Sequence, residues 1–168
     1  MGKRIKCLRT ILLLGLMWPF FGIHATPLLE FDAKPEALER YAGKGKWLVV
    51  MVWASDCLIC NKEVKEYDRL HQQRHNKDIT VLGISMDGRS NKAAAEAFIK
   101  QHELHFTNLL AEPEDVAVMF YDLTGEQWAG TPSFLIYSPA GKLMVQQIGA
   151  VPVPLIEEFI RKQAQPTS

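Results

Sequence analysis

The feature that most constrains the fold is an unbroken apolar run, Leu48 to Trp53, that leads directly into Ala54-Ser55-Asp56-Cys57-Leu58-Ile59-Cys60. A run of strand length without polar alternation predicts a central strand covered on both faces. From Cys57 to His75 the pattern changes period: Val64, Tyr67, Leu70 and His71 recur at helical spacing, with Lys, Glu, Asp and Arg between them. The strand-to-helix junction therefore puts two thiols at the start of a long helix. Unpaired backbone N–H groups and the positive end of the helix dipole stabilise a thiolate there. Cys60, about one turn after Cys57, lies on the same face and can close a small disulfide ring. The pair reads as a redox switch in which Cys57 attacks and Cys60 resolves the mixed disulfide.

The remaining segments assemble around that junction. Residues 26–34 read as an extended lead-in. Pro35 at a first helical position predicts a short helix, Glu36 to Ala42, stopped by Gly43 and Gly45. Ile79 to Met86 is a second apolar strand, parallel to the first if the intervening helix is a crossover. Asp87-Gly88-Arg89-Ser90 is a turn before an Ala-rich helix, Asn91 to His102, with Phe98 and Ile99 inward. Phe106 to Leu110 is a short extended segment, and Pro113 with Glu114 and Asp115 opens a helix through Phe120. After a loop, Phe134–Tyr137 and Leu143–Ile148 flank Ser138-Pro139-Ala140-Gly141, an antiparallel hairpin, and a helix covers about Pro154 to Gln163. This order describes a single α/β domain of three layers, residues 26–168, with helices on both sides of a mixed sheet.

Two segments together, the Cys-x-x-Cys and Gly130-Thr131-Pro132-Ser133-Phe134-Leu135-Ile136-Tyr137, resemble the thioredoxin superfamily, whose members face the Cys-x-x-Cys with a cis-proline loop. From about Leu48 to Ile160 the chain is most similar to TlpA/ResA-type extracytoplasmic reductases. It shares their Trp-Ala-Ser-x-Cys-x-x-Cys-x-x-Glu stretch, a strand ending in Gly-x-x-x-Asp, and "FxxLL" before a helix. The resemblance implies that Pro132 is the cis-proline and that the backbone of Thr131 pairs with a substrate peptide. A cis X–Pro bond costs only about 0.5–1 kcal/mol. From the residues alone Pro132 is equally an ordinary proline opening an edge strand.

Other positions carry two readings. Asp56, where relatives carry Trp or another non-acidic residue, disfavours a Cys57 thiolate and makes the couple more reducing, or else it or Ser55 caps the helix. Leu58 and Ile59, where relatives have a proline, form an apolar rim that meets a partner, or pack in the core. Glu63 matches the acidic residue of cytochrome c maturation relatives and is either a proton acceptor for Cys60 or a solvated helix-face carboxylate. Met51 stands where thioredoxin buries an aspartate. Trp53 is expected beneath the Cys-x-x-Cys loop, and Trp128 either frames a substrate groove or covers core.

Composition narrows the function classes. Lys and Arg number 19 and so do Asp and Glu, so no charge excess favours nucleic acid. Lys3, Arg4, Lys6 and Arg9 precede an apolar run, Ile11 to Ile23, that is short for a membrane span of roughly 20 residues. Residues 1–25 therefore read as a secretory signal cleaved after Ala25, or as an uncleaved anchor. Of three cysteines, Cys7 leaves with that segment, and one remaining pair cannot be a multi-bridge scaffold. A zinc site needs about four ligands and finds no second Cys-x-x-Cys. A peroxidase would carry Pro-x-x-x-Ser/Thr-x-x-Cys, which is absent. The expectation is a monomeric periplasmic or otherwise extracytoplasmic thiol–disulfide oxidoreductase without cofactor or metal. It would reduce a client protein's disulfide and be recharged by a membrane electron donor. The alternatives are an oxidase or isomerase in the same compartment, or a copper-delivery module of the same fold.

Overall fold

The computed structural model describes residues 28–164; the proposed signal and its cleavage point lie outside them. Seven strands and four helices follow one another as β1 (Leu28–Leu29), β2 (Pro35–Glu36), β3 (Trp47–Trp53), α1 (Leu58–Arg74), β4 (Ile79–Ser85), α2 (Lys92–Gln101), β5 (Thr107–Leu110), α3 (Pro113–Thr124), β6 (Ser133–Tyr137), β7 (Leu143–Ile148) and α4 (Val153–Gln163). They form one sheet in the order β2-β1-β5-β4-β3-β6-β7. β3, β4 and β5 are parallel, whereas β6 joins β3 antiparallel, β7 joins β6 antiparallel, and β1 joins β5 antiparallel. The sheet is thus mixed, as the element order predicts.

The lack of polar alternation in β3 has a direct cause: every one of its residues is buried. Successive side chains point to opposite faces. Trp47, Val49, Met51 and Trp53 pack with Cys60, Val64, Tyr67 and Leu70 of α1, Ala95 and Phe98 of α2, and Ile156 and Ile160 of α4. Leu48, Val50 and Val52 pack on the other side with Val116, Met119 and Phe120 of α3. Helices cover both faces, which gives the three layers.

Two boundaries differ from the sequence reading. The helix expected over Glu36–Ala42 is absent. Pro35 and Glu36 pair with Leu29 and Leu28, and only one 3-10 turn, Leu38–Arg40, follows. Leu38 is the one buried residue of that turn. So short a segment gains too little from packing to offset helix nucleation. The Glu36 carboxylate instead accepts from Ala37 N–H at 3.0 Å and Tyr41 Oη–H at 3.2 Å, which holds the tight turn. α3 continues past Phe120 to Thr124, where Gly125 adopts φ 75° and donates its N–H to Tyr121 O at 2.7 Å. Glycine tolerates this left-handed ending without a Cβ clash.

A close approach fixes the floor of the junction. Trp53 is fully buried, stacks on Phe98 with centroids 4.3 Å apart, and donates from Nε1 to Asn108 Oδ1 at 3.0 Å. A Cβ at Gly83 would lie 2.0 Å from that same Oδ1, so glycine leaves the room this hydrogen bond occupies.

Candidate active site

β3 ends at Trp53 and α1 begins at Leu58, and the four residues between them form the loop that carries the first thiol. Trp53 O accepts from Met86 N–H at 2.9 Å, and Cys57 N–H donates to Ala54 O at 3.2 Å. Cys57 is itself the N-cap of α1, and its Sγ accepts from Cys60 N–H at 3.1 Å. The sulfur therefore occupies the place where a capping oxygen normally satisfies an unpaired helix N–H. The reading of Ser55 or Asp56 as the cap is corrected. Ser55 is drawn the other way, its Oγ donating to Asp87 Oδ1 at 2.6 Å, and Asp56 is exposed on the loop.

Cys57 and Cys60 are joined as a disulfide, with Cα atoms 5.2 Å apart. The two sulfurs are not equivalent. Cys60 is fully buried against the core, while Cys57 is half-buried at the surface. Leu58 and Ile59 stand out from the loop, 78% and 45% exposed, so neither is a core residue. The rim of the disulfide is apolar and open.

The Thr131–Pro132 peptide is cis. Ser133 pairs with Val52 in the β3–β6 ladder, which places Pro132 in register beside Trp53 at the end of β3 that feeds the cysteine loop. Gly149 N–H donates to Pro132 O at 2.8 Å and fastens this loop to the end of β7. Thr131 is half-exposed next to it. Trp128 donates from Nε1 to Ser133 Oγ at 3.0 Å and packs on the α3 side of the sheet, so it covers core.

Glu63 lies one turn beyond Cys60 on α1. Its Oε2 is buried without a partner, and burial pushes its carboxyl up from the ordinary glutamate range, a backbone hydrogen bond at Val151 opposing the shift. One turn further, Tyr67 is buried, stacks on Phe134 at 4.8 Å and donates to Val151 O at 2.5 Å. The carboxylate is therefore enclosed by α1 and the 151 loop rather than solvated on a free helix face. Met51 is fully buried on the same face of β3 and supplies no ionisable group.

Three residues that the sequence reading did not single out complete the loop's support. The Asp87 carboxylate accepts from Ser55 N–H at 3.1 Å, Ser55 Oγ at 2.6 Å and Ser85 Oγ at 2.6 Å. Asn61 donates from Nδ2 to Ser55 O at 3.2 Å and Cys57 O at 3.0 Å, and its Oδ1 meets His102 Nε2 at 2.9 Å. Only Asp87 left a trace in the sequence, as the polar residue ending a strand.

An α/β fold with one disulfide at a strand–helix junction, a half-buried first cysteine over a buried second, and a cis-proline in register beside Trp53 at the same junction is that of a thiol–disulfide oxidoreductase of the thioredoxin superfamily, TlpA/ResA-like. Residues 25–146 match the AhpC/TSA family, and the chain belongs to it. It is 21% identical over 141 residues to the thiol-disulfide oxidoreductase ResA of Bacillus thuringiensis, covering 84% of this chain and 77% of that protein. Among solved structures it resembles the thioredoxin domain of a Bacteroides vulgatus thiol-disulfide oxidoreductase, with TM-score 0.63, 19% identity, and coverage of 84% of this chain and 96% of that one. It also resembles a secreted Mycobacterium tuberculosis disulfide oxidoreductase homologous to DsbE, with TM-score 0.59, 20% identity, and coverage of 80% and 92%.

Proposed function

We propose that this protein is an extracytoplasmic reductase of protein disulfides, exported by its first 25 residues and working through Cys57 and Cys60. The observation that carries the reading is the asymmetry of the pair, a half-exposed Cys57 at the helix N-terminus above a fully buried Cys60. In the reduced protein the Cys57 thiolate attacks one sulfur of a client disulfide. That S–S bond breaks, a Cys57–client bond forms, and the second client sulfur leaves as a thiolate that takes up a proton. Cys60 then loses its proton and attacks Cys57 Sγ, releasing the reduced client and closing the Cys57–Cys60 disulfide. Two electrons have passed to the client, and a membrane electron donor returns them to the pair. The dithiol is itself the redox group and no cofactor takes part.

The supporting residues have distinct tasks in this scheme. Thr131, half-exposed beside the buried Pro132 and in register with the end of β3, presents backbone to an extended client segment. Glu63, enclosed and raised in pKa, takes the Cys60 proton. Asp56, exposed beside Cys57, disfavours the thiolate and so favours the oxidised pair, which suits a reductase. A peroxidase is disfavoured despite the family's name. The residue three before Cys57 is Ala54 and the one seven before is Val50, where that chemistry would place a hydroxyl and a proline.

A Cys60→Ser variant tests the scheme. It retains the attacking thiol and lacks the resolving one, so it is expected to accumulate disulfide-linked adducts with client proteins that dithiothreitol releases. A variant that forms no adduct with any disulfide-bearing protein contradicts the reductase reading.

A further inference from the structure

We infer that Asn61 is a positioning residue for the Cys57 sulfur, and that His102, the C-cap of α2, sets its orientation. This rests on the assignment of Cys57 as the attacking thiol and adds the means by which its sulfur is held when no disulfide holds it.

The geometry leaves one arrangement of protons. The carbonyl oxygens of Ser55 and Cys57 only accept, so the side-chain nitrogen of Asn61 must face them, at 3.2 and 3.0 Å. Its Oδ1 is then turned toward His102 Nε2 at 2.9 Å, and because that oxygen only accepts, the imidazole donates from Nε2. His102 is held in turn against Phe98, with ring centroids 4.5 Å apart. Burial, helped by Lys65, keeps its pKa below the ordinary histidine value, so the donor near neutral pH is the neutral ring. Asn61 also donates its backbone N–H to Cys57 O at 3.0 Å, so this carbonyl is held twice by one residue. The other side of the loop is fixed independently by Asp87 on Ser55.

The consequence differs between redox states. In the disulfide, Cys57 Sγ is held by its covalent bond to Cys60. In the dithiol, only the loop keeps that sulfur within reach of Cys60 N–H, the donor it meets at 3.1 Å. A clamp on the Cys57 carbonyl thus acts mainly on the reduced state, where the helix N-terminus stabilises the thiolate. Loss of the clamp lets the sulfur drift from that N–H. The thiolate is then less stable, alkylation is slower, and the couple shifts toward disulfide.

The experiment compares the full chain with Asn61→Ala, His102→Ala, His102→Gln and the Asn61→Ala/His102→Ala pair. Two quantities are read on each folded protein: the rate of iodoacetamide attack on reduced Cys57 at pH 7, and the equilibrium with dithiothreitol. A single hydrogen bond between neutral groups, as each of the Asn61 bonds is, sets the scale. Asn61→Ala and His102→Ala are each expected to slow alkylation and shift the equilibrium toward disulfide by about three- to ten-fold. His102→Gln, whose amide still donates to Asn61 Oδ1, is expected within about two-fold of the parent, and the double variant no worse than Asn61→Ala. A purely structural role would lower melting temperature without moving either readout. Rates and equilibria unchanged in folded Asn61→Ala overturn the inference, as does a His102 effect that persists once Asn61 is gone. A parent protein that exchanges normally while the variants match it overturns this inference alone, whereas a parent inert to dithiothreitol overturns the proposed function as well.

Discussion

Glu63 and Leu58 show how differently single side chains on one helix can be placed, one enclosed and one standing out into solvent. Glu63 binds its proton more tightly in the folded protein than in the unfolded chain, where a glutamate titrates at about 4.3. Below that value both states are protonated and the folded state keeps its full advantage. As pH rises through the raised folded pKa, ionisation in the enclosed position removes that contribution. Glu63→Gln is neutral throughout, so it is expected to melt higher than the parent at pH 8 and to match it near pH 4. Superimposable melting curves of the two proteins across that range would contradict the burial argument. Leu58, at 78% exposure, contributes little to folding. Leu58→Ser is expected to change stability by less than about 0.5 kcal/mol. If its side chain meets clients, the variant reduces a protein disulfide more slowly than the parent while reducing a small disulfide at the same rate. Equal loss on both substrates would place its role in the chemistry instead. The Cys57–Cys60 pair was legible from spacing alone, because a Cys-x-x-Cys carries its own geometry, whereas Leu58 and Ile59 read equally as rim or as core until their exposure was known. Asn61 and His102 were not legible, because 41 residues separate them and no local pattern announces a contact between two helices.

The elements that carry the site are fixed by contacts reaching across the sheet. Asp87 follows β4 and holds Ser55 after β3, and these two strands run parallel in register from Trp47↔Ile79 to Trp53↔Ser85. Asp87→Ala leaves the Ser55 and Ser85 donors without their acceptor. Three donors lose their acceptor, one of them on the fully buried Ser85, and each donor left unpaired costs about 1–3 kcal/mol, so a drop of at least that order in unfolding free energy is expected from denaturant titration. A drop below about 0.5 kcal/mol would mean that water replaces the carboxylate freely. Gly83→Ala adds a Cβ 2.0 Å from Asn108 Oδ1 and 2.8 Å from Trp53 Nε1. Overpacking of this kind costs about 1–3 kcal/mol, read by the same titration, with altered Trp53 fluorescence as its local signature. β3, α1, β4 and the β6–β7 hairpin were readable because each has a clear period or a tight turn. The short helix expected after Pro35 failed because proline permits a first helical turn without supplying the buried face that keeps one. The β1–β2 pairing was invisible, since two-residue strands have no period to read.

On the scale of the whole molecule, the sheet order brings three distant stretches to one end of β3: the cysteine loop, the proline loop through β6, and Asp87 through β4. The two faces of the sheet serve different ends. One buries Cys60, Glu63's neighbour Tyr67 and Trp53 beneath the disulfide, and the other packs α3. That the sheet is mixed and the layers three followed from element order. The choice of Cys57 as the attacking thiol followed from its place at the helix N-terminus. The loop braces did not, because they arise only once the strands are side by side. The central claim is that electrons move through Cys57 and Cys60 toward a client, and equilibrating the protein with graded dithiothreitol or glutathione buffers tests it most directly. The account predicts that both thiols titrate together as one two-electron step with a midpoint of about −270 mV or lower. A midpoint near about −120 mV would make the protein an oxidant, and a pair that fails to exchange at all would contradict the account outright.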